Sequence, residues 1–164
     1  MKIDVSKLKP YVDNIYEEDI VFDAEAYPCF PPLLEVKKTH VNLLVHNYDE
    51  FIDVNVTLKA EVVLQCSYSL KPFATKIVAK DNMHFATNQD DEDFILYKGN
   101  LIDMDKYIFD LLSASVPASP KAPGAKLPND GNGYRIISED ELTKEKESHS
   151  NSKFDALKDL DFDD

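Results

Sequence analysis

From Leu33 to Phe85 the chain alternates apolar and polar residues with a period of two. Ile52, Val54, Val56, Leu58, Ala60, Val62 and Leu64 take every second position, and Asp53, Asn55, Thr57, Lys59 and Glu61 fill gaps between them. Such a repeat puts one set on a buried strand face and the other in water. The preceding run sets Thr39, Val41, Leu43 and Val45 against His40, Asn42 and His46. The following run sets Phe73, Thr75, Ile77 and Ala79 against Lys76 and Lys80. Three strands with one wet face each predict an antiparallel meander, open to curling into a barrel. Asn47-Tyr48-Asp49-Glu50 is its first connection, and the segment from Cys66 to Pro72 is its second.

The flanks carry weaker patterns. Ile3 to Leu8 can form a short strand before Pro10. Ile20-Val21-Phe22 reads as another, bounded by Glu17-Glu18-Asp19 and Pro28, and Cys29-Phe30-Pro31-Pro32 must be extended. Thr87 to Asp93 is polar enough to be an exposed loop, and Phe94 to Tyr97 a short strand. Asp103 is a suitable N-cap, and Met104, Tyr107, Ile108, Leu111 and Leu112 form the core-facing stripe of a helix that should cover the sheet.

After Val116 the composition changes. Pro117, Pro120, Pro123, Gly124, Pro128, Gly131 and Gly133 mark residues 117–133 as a flexible linker, which makes residues 1–116 the globular domain. Residues 134–164 form an acidic tail in which Ser138 and Glu141 have capping-box spacing. Phe154, Leu157 and Leu160 recur at three-residue intervals among aspartates, a pattern suited to a docking peptide and equally to a disordered tail. The expected fold is therefore α+β, an antiparallel sheet under one amphipathic helix with a flexible acidic tail.

Charge narrows the function. With 18 basic and 31 acidic residues the net charge is −13, the reverse of what a free-standing nucleic-acid binder needs to contact phosphates. Cys29 and Cys66 are far apart and lack neighbours of metal-ligand type, so a reduced cytoplasmic protein is the simpler expectation. No apolar leader or membrane-length run is visible. No nucleophile motif, phosphate-binding glycine loop or zinc-protease helix is present, so neither catalysis nor a cofactor is expected. His40 and His46 share a strand face that His84 could join, but no Cys pair or carboxylate of matching parity accompanies them, and solvent-facing histidines are expected. Cys66 continues the core-facing parity of Leu64 and reads as a buried structural thiol.

Cys66-Ser67-Tyr68-Ser69-Leu70-Lys71-Pro72-Phe73 resembles the signature region of the YceD-like family of large ribosomal RNA subunit accumulation proteins. Lys98-Gly99-Asn100-Leu101-Ile102-Asp103, Val116-Pro117 and the closing Phe154-Asp155-Ala156-Leu157-Lys158-Asp159-Leu160 resemble further family segments in the family's order. The chain departs from the pattern at Ser69, where many members carry a second cysteine, and at Tyr68, which replaces an arginine. Ala118-Ser119-Pro120-Lys121 stands where some members are cysteine-rich. Zinc binding is therefore not implied here.

What the resemblance implies is a non-enzymatic factor in ribosome biogenesis that supports accumulation of large-subunit ribosomal RNA. Its partner would be the assembling large subunit or a ribosomal protein, with neither a membrane nor a small-molecule substrate involved. Candidate contacts are Cys66, Tyr68, Leu70, Lys71, Pro72 and Phe73 in the turn, with Lys76 and Lys80 beyond it, and Phe154, Leu157 and Leu160 in the tail. A protein-mediated link is the expected mode. The alternatives are a generic acidic interaction module, a chaperone for a basic ribosomal protein, and direct RNA binding through a local patch of Lys71, Lys76 and Lys80.

Overall fold

A computed structural model describes residues 1–88 and 94–148, which divide between two compact units, Met1–Pro123 and Gly124–Asp164. The first holds β1 (Lys2–Asp4), a 3-10 turn (Val5–Lys7), β2 (Asp13–Ile20), β3 (Leu33–Asn47), β4 (Phe51–Gln65), β5 (Pro72–Ala86), β6 (Ile95–Leu96), β7 (Leu101–Asp103) and α1 (Met104–Ala114).

The meander forms as its period requires. β3, β4 and β5 pair antiparallel in sequence order, with Val41 opposite Leu58 and Leu58 opposite Ala79. Every even-numbered residue from Ile52 to Leu64 is buried, as are Val41, Leu43, Val45, Ile77, Met83 and Phe85. Asp49 turns the first hairpin with φ of 67°, and the Asn47 carboxamide oxygen accepts its amide at 3.0 Å. The sheet does not close into a barrel. Its order is β2-β3-β4-β5-β6, which leaves β2 and β6 as edges, and α1 covers the apolar face instead.

Helix α1 begins where Asp103 caps it, the carboxylate accepting the Asp105 amide at 3.2 Å. Met104, Ile108 and Leu112, one turn apart, are fully buried against the sheet. Tyr107 meets Phe85 edge-on at 5.2 Å between ring centroids. On another side of the helix Phe109 joins Phe22 and Tyr27 in a second aromatic cluster, with centroids 5.1–5.3 Å apart.

Several flanking elements differ from the sequence expectation. Glu17, Glu18 and Asp19 do not bound a strand at residues 20–22; they lie inside β2, which ends at Ile20. Their charge is accommodated because β2 is an edge strand whose side chains meet those of β3, with Asp19 opposite His40 and Asp13 opposite His46. The N-terminal strand is only three residues long and pairs with β7, Ile3 standing opposite Ile102. β6 runs parallel to β5 and meets it only at Phe85 and Ala86.

In the second unit, α2 (Glu139–Ser148) begins with the expected capping box. The Glu141 amide donates to the Ser138 hydroxyl at 3.2 Å, and the Ser138 amide donates to the Glu141 carboxylate at 3.0 Å. Arg135 bridges to Glu145 at 2.6 Å. Phe154, Leu157 and Leu160 lie outside the described residues, as do Gln89 to Asp93 of the expected polar loop.

Candidate functional site

The turn joining β4 to β5 is built by backbone bonds at its neck. The Cys66 amide donates to the Lys71 carbonyl at 2.9 Å, and the Leu70 amide donates to the Cys66 carbonyl at 2.8 Å. Closing this loop puts Leu70 in the left-handed region, with φ of 55°, a conformation leucine seldom adopts. The carboxamide of Gln65 braces that residue by donating to the Leu70 carbonyl at 3.2 Å. The result is a leucine side chain held 67% exposed at the tip, beside the exposed Lys71 and Pro72.

Residues following α1 fold back onto this turn. The Ser67 amide donates to the Pro120 carbonyl at 2.8 Å, and the Ala122 amide donates to the Cys66 sulfur at 3.3 Å. The Lys121 ammonium lies over the Tyr68 ring, 4.9 Å from its centroid. Pro120 is itself buried. The first unit thus runs to Pro123, past the expected end at residue 116, and the proline-rich segment from Pro117 to Pro123 acts as a strap across the turn. Low hydrophobicity concealed this arrangement, because the strap is held largely by main-chain groups that composition does not report.

Cys66 has no solvent exposure, in keeping with a core thiol. Its surroundings are not inert, however. The Ala122 amide, the Ser69 hydroxyl and the Ser69 and Tyr68 amides all direct hydrogen-bonding toward the sulfur and pull the thiol down to about 6. A sulfur enclosed in this way is bonded into the turn and the strap. Cys29 behaves in the opposite way, burial pushing its thiol up. It helps line an apolar groove of about 740 Å³ with Tyr27, Phe30, Pro32, Phe109 and Val116, a feature the sequence did not disclose.

The remaining candidates are distributed along β5. Phe73 is half-buried and packs against the core, while Lys76 and Lys80 are exposed on the solvent face. At a rise of about 3.4 Å per residue, the nine-residue interval from Lys71 to Lys80 spans about 30 Å, well beyond the screening length of about 8 Å at physiological salt. Lys76 is also bridged to Glu61 at 3.2 Å. The three lysines therefore do not make one concentrated patch.

Carboxylates accompany all three strand histidines, contrary to the expectation. His46 Nδ1 lies 2.6 Å from Asp13, His84 Nδ1 lies 3.1 Å from Asp53, and His40 lies 2.9 Å from Asp19 and 3.2 Å from Glu17. Parity within one strand could not reveal them, since each carboxylate comes from a neighbouring strand. Among the described residues no group of three or more His, Cys, Asp or Glu is placed to hold a metal. No described helix is long and apolar enough to cross a membrane.

A family model described as large ribosomal RNA subunit accumulation protein YceD matches residues 54–161. The match begins within β4 and takes in the turn, β5, α1 and the strap. No curated protein and no solved structure matches the chain.

Proposed function

This chain belongs to the YceD family of large ribosomal RNA subunit accumulation proteins, and from that premise we propose that it is a non-enzymatic assembly factor. It supports large-subunit ribosomal RNA through protein contacts on the assembling particle. The observation that carries this reading is the family match, which spans the strapped turn.

The geometry supports a protein-mediated link over direct RNA binding. Lys71, Lys76 and Lys80 are strung along a strand within a molecule of net charge −13, and Lys76 is paired with Glu61. An RNA site would need several cations converging on neighbouring phosphates. The strapped turn instead offers an exposed Leu70 on a braced backbone, flanked by Lys71 and Pro72, which suits an apolar anchor with a polar rim. The tail residues Phe154, Leu157 and Leu160 would provide a second contact.

Depletion of the protein should lower large-subunit ribosomal RNA relative to small-subunit RNA, and the purified protein should co-sediment with large-subunit precursors. Replacing Leu70 with Asp should reduce that co-sedimentation while leaving the fold intact. Tight binding to naked large-subunit RNA with a steep salt slope, abolished when Lys71, Lys76 and Lys80 become Ala, would refute the protein-mediated reading and favour the RNA alternative.

A further inference from the structure

Strand β2 is one of the two edges of the five-stranded sheet, with no strand beside it among the described residues. Antiparallel pairing uses only half of its backbone groups, so alternate amides and carbonyls between Asp13 and Ile20 point away from β3. Among the described residues no backbone bond takes up that outer side. The edge also carries exposed apolar side chains, Ile15 within the strand and three others flanking it. Tyr11 is 66% exposed, Ile15 71% and Val21 74%, with Val12 exposed beside them. Ile15 stands opposite the partly buried Leu44, so the apolar surface continues inward from the edge onto β3.

An edge of this kind invites pairing unless something selects the partner. Here the selection is electrostatic. Asp13, Glu17, Glu18 and Asp19 lie within the strand and Asp23 just beyond it, and the basic side chains that meet them from β3, His46 at Asp13, His40 at Glu17 and Asp19, and Lys38 at Asp19, are fewer than the acids. A second copy added edge to edge would oppose like charges strand to strand, and a polyanion would be repelled outright. We infer that the outer edge of β2 receives an extended, lysine- or arginine-rich segment of a protein, added as a sixth strand with its apolar side chains against Ile15 and its cations among the β2 carboxylates.

The inference deepens the protein-mediated reading above and rests on it for its setting. Proteins that neutralise ribosomal RNA must carry such basic segments. An acidic edge can hold one in strand form before RNA competes for it. Main-chain bonds would supply the affinity and alternate side chains the specificity.

The full chain should be titrated with a synthetic peptide alternating lysine and valine, with the glutamate-for-lysine counterpart, and with a version N-methylated at alternate residues. The lysine peptide should bind, weaken as salt rises, and slow amide exchange along β2. N-methylation should cost at least about tenfold in affinity by removing backbone donors. The double variant Glu17→Lys, Glu18→Lys should cost a similar factor, with an unchanged melting temperature showing that the sheet persists. Binding indifferent to N-methylation, protection mapped to β5 or the turn, equal binding of the glutamate peptide, self-association through β2, or no binding would each overturn the inference. Co-sedimentation with large-subunit precursors separates the two readings. Its absence in the unaltered protein refutes the functional proposal whatever the peptide does, while its persistence without peptide binding refutes the β2 edge alone.

Discussion

The backbone amide of Ala122 donates to the sulfur of Cys66 across 3.3 Å, joining a proline-rich segment to a strand end more than fifty residues earlier. This bond makes the strap and the turn a single structure, although one reads as linker and the other as a signature motif.

Truncation tests it directly. A chain ending at Pro123 should keep Cys66 as slow toward thiol reagents as in the full protein, because the compact unit is then whole. A chain ending at Val116 should still fold but expose the sulfur, raising its modification rate by at least tenfold. The check is a time course with a chromogenic disulfide. Equal rates for the two chains would show that the strap does not guard the thiol.

Stability should also depend on pH through the same sulfur. Its folded value is drawn down to about 6, below the unfolded thiol near 9. The unfolded chain therefore binds the extra proton between these values, and stability rises with pH across that window. The contribution is complete above about 9 and lost as pH falls through about 6. Cys66→Ala should flatten this part of the curve of melting temperature against pH, and thiolate absorbance near 240 nm should appear at about 6 in the native protein.

Thr39 marks a weak point in the core. It is fully buried on the apolar face, and its hydroxyl has no hydrogen-bond partner among the described residues. Thr39→Val preserves shape while removing an unsatisfied polar group, so it should stabilise the first unit by about 1 kcal/mol. Urea unfolding would show this as a higher midpoint with an unchanged slope.

The cap of α1 offers a contrasting case. Asp103→Ala removes the carboxylate that accepts the Asp105 amide and should cost about 1 kcal/mol, whereas Asp103→Asn should cost much less. A double-mutant cycle with Lys2→Ala should show little coupling, since that exposed pair is 3.7 Å apart.

These residues also show what the sequence could disclose. Period two along Ile52 to Leu64 predicts every buried position of β4, because the core imposes that repeat. The Asp103 cap and the stripe through Met104, Ile108 and Leu112 were equally legible, as was the Ser138 and Glu141 capping box. β2 was not, because an edge strand needs no clean apolar face and its acids are matched by partners on β3. Barrel closure depends on how the sheet ends, which no local pattern encodes. The turn at Cys66 was recognisable from its residues, but the strap was hidden because Ser67 and Ala122 bond through their main-chain amides.

The pairing of Ile3 with Ile102 imposes an order on assembly as the chain is synthesised. The three central strands are joined by short hairpin turns and can pair as soon as each emerges. β1, made first, must wait until β7 has been translated, and α1 follows β7 directly and can cover the sheet only after that. A nascent chain halted before Leu101 would carry its meander with the helix-covered face still open, the interval in which this protein itself most needs protection from aggregation.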